Sequence, residues 1–243
     1  MSSKAQKRIP ARTKSNPNSV SVQSTRIALD DQQSVSGLLH KPAQPIACYV
    51  LAHGAGAGMQ HPFMNSVADG LADRHVATLR YQFPYMEAGT KRPDRPAVAQ
   101  GAVQAAVEGA AGLMPGIPLF AGGKSFGGRM TSQAQAATPL PGIRGLIFLG
   151  FPLHPQGKPA STRADHLSHV AIPMLFLQGG RDKLASPPLL TQVTHGLGKR
   201  ATLIVIEHAD HSFHVPARSG TTDMQAMTVL LDALAAWVGR LAQ

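Results

Sequence analysis

Apolar positions fall into two rhythms along this chain. Near the N-terminal end they alternate with polar ones: "TRIALDD" and "QSVSGLLHKP" flank a polar turn, which predicts an antiparallel hairpin. From Ile46 onward they run together. The stretches "IACYVLAHG", "VATLRYQFP", "IPLFAGG", "IRGLIFLGFP", "IPMLFLQGG" and "ATLIVIEHAD" recur with Ala-rich or amphipathic segments between them. A strand that is apolar on both faces must be covered on both faces. These runs therefore predict a parallel sheet with helices on each side.

The intervening segments carry helical spacing. "HPFMNSVADGLADR" places Phe63, Val67 and Leu71 on one face, and "RPAVAQGAVQAAVEGAAGL" opens with Pro96 near a first turn, where a missing N–H costs nothing. "DMQAMTVLLDALAAWVGRLAQ" predicts a long amphipathic closing helix with Trp237 in the core. Strand and helix alternate without an internal repeat, so the expected fold is a single α/β domain: a doubly wound, mostly parallel sheet of about seven or eight strands. Ligands of such sheets bind at the carboxyl ends of the strands. The stretches that stand there are His53-Gly54-Ala55-Gly56, Lys124-Ser125-Phe126, Arg181-Asp182 and Asp210-His211.

One of them, "LFAGGKSFGGRM", admits two opposed chemistries. A phosphate-cradling loop needs G-x-x-x-x-G-K-[ST]; with Gly123-Lys124-Ser125 as its end, the first glycine falls on Pro118, which offers neither the backbone freedom nor the N–H. Nucleotide binding through "GGKS" is the weaker alternative. Read as G-x-S-x-G, the same stretch is a strand-to-helix turn that exposes Ser125, with Gly123 and Gly127 where larger side chains would collide. The Phe126 N–H, opening the next helix, would then face an oxyanion. Serine alone is a poor nucleophile and needs a base and an orienting acid, in the order Ser, Asp, His for this kind of sheet. Asp182 and His211 follow two later runs in that order. His211 is the expected base and Asp182 the acid that fixes its tautomer. "LAHGAGAG" supplies small residues with free N–H groups after the first parallel strand, and Ala55, or failing it Gly56, is the expected second oxyanion donor.

Composition narrows the class. The net charge of +10 over 243 residues looks like a nucleic-acid signal until it is located. Lys4, Lys7, Arg8, Arg12 and Lys14 supply half of it, within a Ser-, Pro- and Asn-containing stretch without acids. Residues 1–24 therefore read as a disordered basic arm, able to touch polyanions weakly but recognising no specific nucleic acid, and residues 25–243 as the folded domain. No apolar stretch suggests a signal peptide or membrane span, so a cytoplasmic protein is expected. Cys48, the single cysteine, sits in an apolar run and reads as a small buried hydrophobe. His208, His211 and His214 have a spacing that invites a metal, but they leave a β-rich run for a loop and no cysteine is near. No metal or cofactor is expected.

Together "HGAGAG", "GGKSFGGRM", "LQGGRDKLA" and "ADHSF" resemble the α/β-hydrolase superfamily from about Ile27 to the end. More narrowly they resemble its small lidless dienelactone-hydrolase-like branch, whose animal members include a testis-expressed protein and a scaffold subunit of a histone acetyltransferase complex. The resemblance implies an α/β-hydrolase fold without a large lid, Ser125 as nucleophile, Asp182 and His211 completing a triad, Phe126 and Ala55 as oxyanion donors, and a small acyl substrate. It also admits a non-catalytic interaction module as the alternative. Lys124 departs from better-known esterases, many of which carry His, Asp or Glu before the serine. It would assist an anionic substrate or point to solvent. The stretch from Phe151 to Pro173 is too short for a helical cap, so an open site is expected. His53, His154 and the pair Arg80-Tyr81 are candidates to line it, with "YQFPYMEAGTKRPDRP" as one wall.

Overall fold

The computed structural model describes residues 19–243. The expected hairpin is β1 (Val20–Ala28) and β2 (Ser34–Pro42), paired antiparallel over their whole length from Val20 against Pro42 to Ala28 against Ser34. Asp30 closes the turn: its Oδ1 accepts the Gln32 and Gln33 amides, both at 2.8 Å. Because β1 starts at Val20, residues 20–24 belong to a strand rather than to the basic arm. The rest of the expected arm, residues 1–18, lies outside the described residues.

Each of the continuous apolar runs is a parallel strand. They are β3 (Ala47–Ala52), β4 (Val76–Tyr81), β5 (Leu119–Lys124), β6 (Ile143–Leu149), β7 (Met174–Gly179) and β8 (Ala201–Ile206). The sheet of eight strands runs β1-β2-β4-β3-β5-β6-β7-β8, with β2 antiparallel to β4 and the rest of the larger part parallel. β3, β4 and β7 are buried at every residue, as a sheet covered on both faces requires.

Helices cover the two faces in turn: α1 (Pro62–Ala72), α2 (Pro84–Glu87), α3 (Pro96–Leu113), α4 (Phe126–Ala137), α5 (Pro187–Gly196) and α6 (Asp223–Leu241). One apolar cluster joins alternate strand residues such as Cys48, Val50 and Phe148 to α3 and α4. The other joins the intervening residues Tyr49, Leu51 and Ile147 to α1 and α6. Val67 and Leu71 of α1 are fully buried there, Phe63 partly, and Trp237 of α6 packs edge-on to Phe120 with ring centroids 5.8 Å apart. Proline begins α1, α2, α3 and α5, where its fixed φ suits the helix and no hydrogen bond is forgone. α6 starts instead with a capping box, in which the Thr222 hydroxyl accepts the Gln225 amide and the Gln225 side chain accepts the Thr222 amide.

The stretch from Phe151 to Pro173 forms a loop and a single 3-10 segment, Thr162–His169, so among the described residues no helical cap stands over the carboxyl ends of β3, β5 and β6. Among the described residues no helix is long and apolar enough to cross a membrane.

Candidate active site

Three strand ends bring Ser125, Asp182 and His211 together. Ser125 sits between β5 and α4 with φ 49° and ψ −111°, a conformation that costs a non-glycine residue on the order of 1–3 kcal/mol and is held by its surroundings. The surroundings are backbone. The Ser125 N–H donates to the Leu149 carbonyl at 3.2 Å, and α4 lies so close to β3 that a Cβ at Gly127 would stand 2.6 Å from the His53 carbonyl oxygen. At Gly123 a Cβ would stand 2.2 Å from the Ala52 carbonyl oxygen. Neither position admits a side chain, which is the steric demand behind the G-x-S-x-G pattern.

The Ser125 hydroxyl lies 2.9 Å from His211 Nε2, and His211 Nδ1 lies 2.7 Å from Asp182 Oδ2. A carboxylate can only accept, so Nδ1 carries the proton and Nε2 is left to accept from Ser125. The Asp182 side chain is fully buried, whereas a quarter of the His211 side chain remains exposed. Burying a carboxylate demands hydrogen bonds, and Asp182 has them. Its Oδ1 accepts the Leu184 amide at 2.8 Å, and its Oδ2 also accepts the Gln178 side-chain amide. Gln178 is fixed in turn, its Oε1 taking the Phe151 N–H at 2.9 Å. Gln178 is absent from the residues expected at the site; its one local mark in the sequence is a glutamine closing the apolar run "MLFLQ".

Two backbone amides close to Ser125 in the chain or in the cleft, those of Phe126 and Ala55, have no acceptor among the described residues. No side chain caps α4, so the N–H groups of its first turn, beginning with Phe126, are unclaimed by a cap. The Ala55 amide donates to nothing among the described residues. Gly56, the fallback donor, is committed elsewhere: its N–H donates to the Tyr85 hydroxyl at 2.9 Å. Tyr85 and Gln82, whose Oε1 accepts the Met59 N–H at 2.9 Å, thus brace the loop after β3. No local signal marks them in the sequence. The "YQFPYMEAGTKRPDRP" segment acts through these braces and not as a wall of the cleft.

Four residues expected to line the cleft take other places. His53 is fully buried and staples the same loop: Nδ1 donates to the Gly54 carbonyl at 2.8 Å, and Nε2 accepts the Phe83 N–H at 3.1 Å. Burial lowers its pKa to about 4, consistent with a neutral imidazole. His154 is also buried, with Nδ1 on the Pro155 carbonyl at 2.9 Å and Nε2 accepting the Ser186 N–H at 3.1 Å. It ties the loop after β6 to the loop that carries Asp182. Arg80 is inside as well, donating to the Met59 carbonyl and Asn65, and Tyr81 is fully buried.

Lys124 does not point to solvent: it lines the cleft beside Ser125 and is held there by its neighbours. Its ammonium donates to the His211 carbonyl at 2.6 Å and stands 5.9 and 5.6 Å from the centres of the Phe63 and Phe213 rings, which stack on each other with an interplanar angle of 9°. It therefore pins the loop bearing His211 to the elbow bearing Ser125, with cation–π contact adding to the hydrogen bond. Desolvation lowers its pKa to about 8 against the pull of Asp182 and Asp210. Gly122, Gly123 and Lys124 lie within β5 and form no loop wrapped around an anion, which removes the geometry a phosphate loop would need. Of the other histidines, His214 Nδ1 pairs with Asp223 at 2.9 Å.

A cleft of about 270 Å³ opens on Ser125. Its lining includes Ala55, His61, Phe63, Met64, Lys124 and His211. It is small, largely apolar and open, as small-molecule clefts are.

The comparisons agree with this architecture. Dienelactone hydrolase from Anabaena variabilis ATCC 29413 superposes with a TM-score of 0.73 at 18% identity, over 92% of this chain and 99% of that one. XC6422 from Xanthomonas campestris, described as a serine hydrolase without a lid, gives 0.69 at 18% identity over 91% and 98%. The esterase domain of a Rhodothermus marinus protein gives 0.69 at 14% identity over 92% and 100%. Residues 45–239 match the family described as alpha/beta hydrolase domain. The chain thus belongs to the alpha/beta hydrolase domain family, as a hydrolase with the lidless, dienelactone hydrolase-like form of the fold.

Proposed function

We propose that this protein is a serine hydrolase that cleaves a carboxylic ester, thioester or lactone through an acyl-enzyme on Ser125. The observation that carries the reading is the hydrogen-bonded line from Ser125 Oγ through His211 to Asp182, at 2.9 and 2.7 Å. A relay so ordered leaves the serine proton one step from an acceptor whose charged form a buried carboxylate stabilises.

In the proposed reaction Ser125 Oγ bonds to the acyl carbon while His211 Nε2 takes its proton. The N–H groups of Phe126 and Ala55 hold the oxyanion, with Gly56 excluded from that role by its bond to Tyr85. Collapse breaks the bond to the leaving oxygen or sulfur, which receives the proton from His211. Water, deprotonated by the same imidazole, then releases the acid. Lys124 acts here as a positioning residue for the His211 loop.

Fluorophosphonate labelling read by intact mass tests the reading. Stoichiometric labelling of the wild-type protein, abolished in Ser125→Ala and His211→Ala, is the expected result. A folded protein that stays unlabelled would refute it and return the chain to a non-catalytic interaction role.

A further inference from the structure

His211 has two sides. One faces the cleft that holds Ser125. The other forms part of a second cleft, of about 560 Å³, lined by Gln156, Arg181, Lys183, Leu184, Asp210, His211, His214 and Pro216. Arg181 and Lys183 flank Asp182 in sequence, so the strand-end turn that buries the carboxylate turns its two neighbours outward to this cleft. Both are exposed, and among the described residues neither has a carboxylate within ion-pair distance. The one acid in the lining, Asp210, turns its Oδ1 to the amides of Ser212 at 2.7 Å and His214 at 3.0 Å and keeps its charge, so two cations face a single carboxylate there. Gln156, from the short loop after β6, adds a neutral donor and acceptor.

Chemistry fixes which end of a substrate lies here. The acyl carbon must meet Ser125 and the oxyanion donors in the smaller cleft. The leaving atom must receive the proton from His211 Nε2, so the leaving group extends along the imidazole. We propose that the second cleft receives the leaving group and that Arg181 and Lys183 select esters or thioesters whose leaving group carries a carboxylate or phosphate. This rests on the serine-hydrolase reading. The balance of the step is unchanged: the bond from Ser125 Oγ to the acyl carbon forms, the bond to the leaving oxygen or sulfur breaks with its electron pair, and the serine proton passes through His211 to that atom. The anionic group takes no part beyond binding.

Three acetyl esters of similar size test the proposal: 4-acetoxybenzoate, 4-acetoxyphenyl phosphate and the uncharged 4-acetoxybenzamide, each kcat/KM normalised to that ester's own alkaline hydrolysis. Two solvent-exposed cations contribute about tenfold together. One or both anions should therefore be preferred about tenfold over the amide, and which of them is preferred separates carboxylate from phosphate. The preference should vanish in Arg181→Gln/Lys183→Gln and persist in the charge-keeping Arg181→Lys/Lys183→Arg. Equal normalised values, a preference that survives the glutamine pair, or one lost equally in the charge-keeping pair would overturn it. Fluorophosphonate labelling of the same preparation separates the two failures. A labelled protein that shows no anion preference, or turns over none of the esters, defeats this proposal alone; an unlabelled and inert one defeats the serine reading beneath it.

Discussion

The elbow makes a quantitative demand on Gly123. Replacing it with alanine imposes two independent penalties. At φ 154° an L-residue is strained by about 1–2 kcal/mol, and the new Cβ would stand 2.2 Å from the Ala52 carbonyl oxygen, a backbone atom that can move only by parting β3 from β5. Forcing a methyl group into a packed interior costs about 1–3 kcal/mol more. Gly142 is the reference for a positive-φ replacement without a clash: at φ 73° its strain is no larger than at Gly123, and nothing lies within 4 Å of its would-be Cβ. Alanine also reduces the entropy of the unfolded chain, but equally at both positions, so that term cancels from the difference. Gly123→Ala is therefore expected to be less stable than Gly142→Ala by about 1–3 kcal/mol, a gap of about 2–4 °C in melting temperature per kcal/mol for a domain of this size. Urea titration and thermal melts of the pair measure it. Variants that melt together would refute the close approach of β3 to the elbow, and with it the steric account of the nucleophile turn.

Other expectations follow from the same geometry. Asp182→Asn places an amide against His211 Nδ1 or the Gln178 side chain, so kcat should fall by about 10³–10⁴; urea titration should show the fold retained, and unchanged kcat would break the proposed orientation of His211. Tyr85→Phe removes the acceptor of the Gly56 N–H, and its melting curve should report a loss of about 1 kcal/mol, with slower fluorophosphonate labelling as the loop after β3 loosens. Lys124 has a pKa lowered to about 8 in the folded state against 10.5 ordinarily, so the unfolded chain binds more protons between those values. The stability of the wild type relative to Lys124→Met should accordingly rise as pH increases from about 8 to 10.5; a flat difference in paired urea titrations would place the ammonium in water.

Much of this protein was decided locally. The period of the apolar positions specified a hairpin followed by parallel strands covered on both faces, because a residue's side of a strand is fixed by the parity of its position. The order of Ser125, Asp182 and His211 at successive strand ends was also legible, since every strand of a doubly wound sheet delivers its carboxyl end to the same edge. What the sequence left open were matters of which neighbour a side chain meets. His53 and His154 stand at strand ends as a ligand-binding residue would, yet each ring turns inward to join two loops. Ala55 was the expected donor with Gly56 as its fallback, and only Tyr85, far along the chain, took the fallback's amide. Lys124 was a charge beside a serine until Phe63, Phe213 and the His211 carbonyl enclosed it. Even the end of the basic arm was misplaced at residue 24, because the polar residues of β1 are held by pairing with β2 rather than by any apolar face of their own. Local patterning determines where the chain is buried and which way it runs; only the folded arrangement determines which of its polar groups are already satisfied and which remain to meet a substrate.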